Sequence, residues 1–247
     1  MSAEFEALRA RFPKTRPGLP PAYQALYEKE YKRNRGSHNR MPDLKQRLEN
    51  WMHARVAHTP APNGPLLELG AGTLNHVDWE RVDCVYDIVE PFTALYQDQP
   101  ARAHLSGVYQ DIDEIPLESR YAKILSVAVL EHVEDLPRLV ARSALLLRED
   151  GVAAHGIPSE GGLLWYLAWR FGTGLSFRLR TGLSYATLMH HEHVNDASEI
   201  LSVLRIFFGE VSVRRFPLPF LHASFYTCVT VRQPDRQKAQ RYLAGNP

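Results

Sequence analysis

The sequence predicts an α/β fold: a mostly parallel sheet of seven strands that ends in an antiparallel hairpin, preceded by a helical extension. From Leu66 onward, short apolar runs alternate with helical patterns, which is typical of a parallel sheet. The first of these runs leads into a turn with two glycines, Gly70 and Gly72. Near the end of the chain two β-rich runs, 211–216 and 223–231, follow one another and predict the hairpin.

The composition fits one α/β domain with a modest extension. The chain has 247 residues, of which 45% are apolar and 23% charged, and its net charge is +1. This balance gives no electrostatic reason to expect a nucleic acid or an acidic partner. Both cysteines, Cys84 and Cys228, lie in apolar runs, so we expect no disulfide framework. No apolar run approaches the ~20 residues of a membrane span, and the first residues do not resemble a signal peptide, so the expectation is a cytoplasmic enzyme.

Changes in composition divide the chain into parts. The proline-rich stretch 59–65 marks a boundary, and after Gln233 the sequence becomes polar. Between these points, an apolar segment does not fit the alternation of strands and helices. We therefore predict an N-terminal helical extension or lid (1–60), a main domain (61–233) with an insertion or cap (159–189), and a polar tail (234–247) that frays.

The extension carries an aromatic and basic group of residues. A helix is predicted at about 22–33, with Tyr23, Tyr27 and Tyr31 on one face and with Arg33 and Arg35 at its end. This group would either cover a cofactor and bind its carboxylate, or pack on the sheet with a solvated basic end.

The glycine turn and two acidic residues predict a nucleoside-containing ligand. The apolar run 66–69 includes Glu68 and ends at Gly70, where a Cβ would block the turn or the approach of a ligand. The next predicted strand, 84–89, ends at Glu90, whose carboxylate is placed to accept hydrogen bonds from a ribose diol. A dinucleotide is disfavoured because Asn75 stands where a third glycine would be needed.

The third predicted strand, 107–110, also ends in a polar residue. Asp111 would accept from the exocyclic amine of an adenine, and Ile112 would pack on its ring. Two further strands are predicted at 122–128 and 152–157. Helices are predicted at 136–147, with Asp135 as its cap, and at about 197–207, which begins with a capping-box pattern.

These motifs resemble those of the class I S-adenosylmethionine-dependent methyltransferases. The matching pieces are 68–72, Glu90-Pro91, 110–112, 130–133 after the fourth strand, and the terminal hairpin. The resemblance implies a Rossmann-like fold and S-adenosyl-L-methionine as cofactor. It also implies that Gly70 and Gly72 pass under the methionine part, that Glu90 binds the ribose hydroxyls, and that Asp111 and Ile112 bind the adenine. Glu68 belongs to the same motif, although such a residue is more often a structural partner of nearby amides.

Three histidines are candidates for the chemistry, because an oxygen nucleophile benefits from a base and histidine suits neutral pH. His132 follows the fourth strand, and His191 and His193 lie in a histidine-rich stretch that would place both on one face if it were extended. This stretch is an acceptor-side wall, a metal site or a plain polar connection. By resemblance to methyltransferases of glycan pathways, we expect methylation of a hydroxyl on a saccharide or other small molecule.

Several alternatives remain open from the sequence. An NAD(P)-dependent oxidoreductase would share the glycine turn and Glu90, and a non-catalytic binding domain would keep the fold without the chemistry. The apolar run 163–169 is followed by arginines, so the insertion is either a cap over the acceptor or a peripheral contact with a membrane.

Overall fold

The computed structural model describes residues 3–24, 44–80 and 83–245. Tyr27, Tyr31, Arg33 and Arg35 lie outside the described residues. The strands are β1 (Leu66–Leu69), β2 (Tyr86–Val89), β3 (Gly107–Tyr109), β4 (Tyr121–Val127), β5 (Leu147–Pro158), β6 (Phe208–Pro217) and β7 (Ser224–Pro234). The helices are α1 (Ala3–Arg11), α2 (Leu44–Ala57), α3 (Leu136–Leu146), α4 (Leu163–Ala168), α5 (Gly174–Thr181), α6 (Tyr185–Glu192), α7 (Ala197–Phe207) and α8 (Arg236–Leu243), with a π-helical turn, Trp169–Thr173, between α4 and α5.

The seven strands form one sheet in the order β3-β2-β1-β4-β5-β7-β6. The first five of these are parallel, whereas β7 runs antiparallel to both β5 and β6. The predicted mostly parallel sheet with an antiparallel C-terminal hairpin is therefore confirmed. Strand β5 begins earlier than its apolar run indicated, because Leu147 already pairs with Tyr121 before a register shift.

The hydrophobic core lies on both faces of the sheet. Leu67 and Leu69 of β1 point into the larger cluster, which α3, α7 and α8 cover, and Leu66 points into the smaller one. The N-terminal helices complete both layers: Phe5 of α1 lies in the larger cluster, and Val56 of α2 in the smaller. Phe5 and Val56 of the extension thus pack into the core of the main domain.

The end of the chain is a packed helix, so the prediction of a frayed polar tail is wrong. Asp235 caps α8 by accepting from the Lys238 amide, and Ala239 and Tyr242 are buried. The Tyr242 ring meets the rings of Phe5 and Phe207 edge to face at 5.4 Å. Only a narrow apolar stripe of α8 packs on the core. The rest of the helix is polar, so its sequence did not predict a packed element.

The predicted insertion is helical throughout most of its length. It comprises α4, the π-helical turn, α5 and α6, and connects β5 to α7. Among the described residues, no helix is long and apolar enough to cross a membrane.

Candidate functional site

The candidate site lies at the carboxyl ends of the parallel strands, where the strand order reverses between β1 and β4. Such a reversal opens a crevice that ligands use in α/β sheets. A cavity of about 760 Å³ is found there. A second cavity, of about 860 Å³, lies at the opposite ends of β1 and β4 near Lys123. The first is the candidate because the predicted site residues line it: Gly70, Gly72, Glu90, Asp111, Ile112 and His132.

The glycine turn after β1 requires glycine for two different reasons. Gly70 has φ +67°, and a Cβ added there would lie 2.5 Å from Cγ2 of Val129. Gly72 has φ +53°, but a Cβ there would meet no atom within 4 Å. The first glycine therefore provides room against the loop after β4, and the second provides only a left-handed backbone.

Glu90 links the turn after β1 to the end of β2. Its Oε2 accepts from the Gly72 amide at 2.7 Å, and its Oε1 accepts from the Phe92 amide at 3.0 Å. The residue is almost fully buried yet lines the cavity. A carboxylate held in this way keeps its position while its remaining lone pairs point toward a ligand.

The turn after β3 is fixed by Arg142 of α3. Asp111 caps a short 3₁₀ turn by accepting from the Asp113 amide through Oδ1, and Ile112 is buried beside it. Nη2 of Arg142 donates to the carbonyls of Ile112 and Ile115 at 3.1 and 2.8 Å. The sequence analysis missed Arg142, because only the fold brings α3 beneath this turn.

Glu68 does not line the cavity, which corrects its assignment as a cofactor-binding residue. Its side chain lies on the face of the sheet that the smaller core cluster covers, where it accepts from the Tyr86 hydroxyl at 2.7 Å. Burial raises the pKa of Glu68 from 4.5 to about 8, against the opposing effect of that hydrogen bond. Glu68 is therefore a buried structural group of β1.

His132 and His193 meet at one end of the cavity, although 60 residues separate them in the sequence. Their rings lie edge to face with centroids 4.8 Å apart. His132 lines the cavity, and its Nδ1 lies 2.8 Å from the carbonyl oxygen of Glu192. Nδ1 of His193 lies 2.5 Å from Oε2 of Glu160. We call this part of the cavity its acceptor end.

His191 points elsewhere, because the stretch is not extended, which was the condition for it to share a face with His193. Helix α6 continues through Glu192, and the chain is therefore not extended at these positions. Nδ1 of His191 lies 2.7 Å from the carbonyl oxygen of Pro17. This contact ties α6 to the N-terminal segment.

A buried carboxylate lies beside the acceptor end without lining the cavity. Glu131 is 1% exposed, and burial raises its pKa. Burial alone would lower the pKa of His193, but the hydrogen bond to Glu160 and the charges of Glu131, Glu160 and Glu192 raise it. Asn195 holds the turn around Glu131, because its Nδ2 donates to the carbonyls of Leu130 and Val133.

Comparison with solved structures identifies the fold. A methyltransferase from Thermotoga maritima, described as a possible histamine N-methyltransferase, shares 15% identity over 84% of this chain and 97% of its own, with a TM-score of 0.57. The N-methyltransferase NodS from Bradyrhizobium japonicum, solved with S-adenosyl-L-homocysteine, shares 14% identity over 87% of this chain and 100% of its own, also at 0.57. The chain has the fold of the class I S-adenosylmethionine-dependent methyltransferases.

The fold extends to a protein whose description names no reaction. A possible exported protein from Bordetella parapertussis shares 11% identity over 94% of this chain and 96% of its own, with a TM-score of 0.58. No family model and no curated protein matches the sequence. At these identities the methyltransferase fold is established, and the activity has to be argued from the site.

The start of the loop after β4, at Ala128 and Val129, is a part of the site that no sequence motif marks. Ala128 has φ +55° and, with Val129, lines the cavity opposite the glycine turn. The Ala128 amide donates to the carbonyl of Gly156 at 2.8 Å, which holds this loop against β5. Nothing in the sequence marks Ala128, because a positive φ at a residue other than glycine is set by its surroundings.

Proposed function

We propose that the protein is an S-adenosylmethionine-dependent methyltransferase. The observation that carries this proposal is the meeting of Gly70, Glu90 and Asp111 around one cavity, each at the end of a different parallel strand. The fold agrees with it, and the solved Bradyrhizobium relative binds the demethylated product of this cofactor.

The described residues fit this cofactor. The turn at Gly70 and Gly72 borders the cavity without a side chain, Glu90 offers acceptors to ribose hydroxyls, and Asp111 and Ile112 offer an acceptor and an apolar surface to adenine. When bound, S-adenosylmethionine supplies a methyl group activated by its positively charged sulfur. The protein then has to align a nucleophile with that methyl group and exclude water.

The acceptor is a hydroxyl compound, with a saccharide or a similar small molecule as the preferred class. The acceptor end offers polar groups on several sides, namely His132, Glu192 and Arg16, all of which line the cavity. His132 is the group best placed to take a proton from such a hydroxyl, since it reaches the cavity directly, and His193 supports it through ring contact. His191 does not take part, because it contacts Pro17.

The test is transfer of a labelled methyl group from S-adenosylmethionine to a panel of free and nucleotide-linked sugars. We expect a labelled product with at least one member of the panel, and its loss in Glu90→Ala. His190→Ala is the matched control, because His190 is exposed in the same histidine-rich stretch. Binding of NADH without binding of S-adenosylhomocysteine would instead favour an oxidoreductase, and product formation that survives Glu90→Ala would contradict the proposed site.

We also propose that the insertion contacts an anionic membrane surface. Large apolar side chains are exposed there beside the exposed Arg170 and Arg178, which together suit the interface of an anionic bilayer. The test is co-sedimentation with vesicles rich in phosphatidylglycerol, which we expect Phe171→Glu to weaken and Leu117→Glu, on another exposed surface, to leave unchanged. Equal sedimentation of the Phe171→Glu and Leu117→Glu variants would contradict the proposed membrane contact. The apolar patch comprises Leu163, Tyr166, Leu167, Phe171, Leu175 and Leu179.

A further inference from the structure

Three potential metal ligands converge at the acceptor end of the cavity. One ligand atom each from Glu131, His132 and His193 lies within 4.8 Å of the other two. Two of these residues follow β4, and the third lies between α6 and α7, so the fold brings them together. Two imidazoles and one carboxylate form a donor set that zinc enzymes use for catalysis.

Both imidazoles are oriented as metal ligands are. Nδ1 of His132 faces the carbonyl of Glu192, and Nδ1 of His193 faces the carboxylate of Glu160. A carbonyl accepts only, and so does an ionised carboxylate, so each Nδ1 carries a proton and Nε2 is the ring nitrogen left to bind a metal ion. Metal-binding histidines have this arrangement, in which an outer carbonyl or carboxylate fixes the ring.

The third residue, Glu131, has a buried oxygen atom without a hydrogen bond, and a cation would pair with it. Oε2 of Glu131 is buried and has no hydrogen-bond partner among the described residues. Nε2 of His132 lies 3.9 Å from the other oxygen, Oε1, which is too far for a hydrogen bond. A buried carboxylate oxygen without a hydrogen bond is costly. A positive ion between the three groups would pair with all of them.

The surrounding charges also favour a cation. The carboxylates of Glu160 and Glu192 lie directly behind the two imidazoles. Arg16 approaches this group from outside, with Nη1 4.0 Å from the Glu192 carboxylate. Among the described residues, Glu131, Glu160 and Glu192 thus place three carboxylates around the two imidazoles, and Arg16 contacts one of the three.

We propose that Glu131, His132 and His193 bind a divalent first-row metal ion of the zinc type beside the cavity, which His132 lines. Two nitrogen ligands favour such an ion over Mg²⁺ or Ca²⁺, which prefer oxygen. Zn²⁺ bonds of about 2.0–2.1 Å would bring the ligand atoms to about 3.3 Å from one another, so the side chains would move inward by about 1 Å.

This inference deepens the proposed function of the same site. With an ion bound, His132 and His193 would be its ligands, and the ion would lower the pKa of an acceptor hydroxyl, a role that a free imidazole would otherwise take as a base. Metal binding can be measured without any methyl transfer, so the two proposals can fail separately.

The experiment is a titration of chelator-treated full-length protein with Co²⁺, followed by its visible absorption, with Zn²⁺ as competitor. We expect saturable Co²⁺ binding that Zn²⁺ displaces and that Mg²⁺ does not. Glu131→Gln and His193→Ala should abolish it, and Glu160→Gln, which removes the outer partner of His193, should weaken it about 10- to 100-fold. His190→Ala should bind as the wild type does.

Binding of S-adenosylhomocysteine by each variant, measured in parallel, shows that the variant is folded and tests the proposed function independently. Absence of saturable Co²⁺ and Zn²⁺ binding by the wild type would overturn the metal site. So would binding that persists in folded Glu131→Gln and His193→Ala. If the wild type binds Co²⁺ but does not bind S-adenosylhomocysteine, the metal site would be supported and the methyltransferase proposal contradicted.

Discussion

Oε2 of Glu90 accepts a hydrogen bond from the Gly72 amide at 2.7 Å, so the end of β2 fixes the glycine turn that follows β1. The two residues are 18 positions apart in the sequence and follow the ends of neighbouring parallel strands. This contact shapes the cavity before any ligand enters it. The shape of the site therefore depends on the glycine turn and the Glu90 carboxylate together.

The two glycines of the turn should respond differently to alanine. Gly70→Ala adds a steric clash with Val129 to a left-handed backbone, whereas Gly72→Ala adds only the backbone cost of about 1–2 kcal/mol. We expect Gly70→Ala to lose more stability and at least ~10-fold more affinity for S-adenosylhomocysteine. Gly172→Ala is the control, since a Cβ there meets nothing within 4 Å and φ is not positive. Thermal unfolding with and without ligand measures both effects, and equal losses at the two glycines would contradict the steric argument.

The pKa of Glu68 predicts how the stability of the fold depends on pH. Because this pKa is raised from 4.5 to about 8, the folded state keeps a proton that the unfolded state has released between these values. The contribution of Glu68 to stability is therefore largest at low pH and declines by at most about 1.4 kcal/mol per pH unit until about pH 8.

The variant Glu68→Gln isolates this effect, since glutamine has a similar shape and no charge. Denaturant unfolding at several pH values should show a smaller decline between pH 5 and about 8 than in the wild type. Affinity for S-adenosylhomocysteine should stay within a few-fold, because Glu68 does not line the cavity. An unchanged pH profile would show that Glu68 is ionised in the folded protein.

Helix α8 should contribute measurably to the stability of the core. Tyr242→Ala removes a buried ring that contacts Phe5 and Phe207, and should cost about 3 kcal/mol. Gln240→Ala, on the exposed side of the same helix, should change stability by less than about 0.5 kcal/mol. Chemical denaturation measures the difference, and equal stability of the two variants would mean that α8 does not hold these packed rings.

Local patterns in the sequence were sufficient for much of the fold. Strand β1 and helix α7 were predicted at their observed bounds, because each combines an apolar pattern with a clear turn or cap. At the start of α7, the Glu199 amide donates to Oδ1 of Asp196 as the capping pattern predicts. Such features depend on residues close in sequence, and so they can be read without knowing the fold.

The acceptor end could not be predicted in the same way. Its contacts join Glu131 to His193 and His193 to Glu160, across loops whose spacing in sequence carries no information about distance. The histidine-rich stretch was also ambiguous, because helix α6 ends inside it and places His191 and His193 on different sides. Long-range packing decides both points, and only the structure shows it.

Calorimetric titration with S-adenosylhomocysteine tests the central claim most directly, with NADH as the competing ligand and Glu90→Ala as the site variant. The account predicts saturable binding of S-adenosylhomocysteine by the wild type, a loss of at least ~10-fold in Glu90→Ala, and no binding of NADH. Binding of NADH alone, or binding of S-adenosylhomocysteine that Glu90→Ala leaves unchanged, would contradict it.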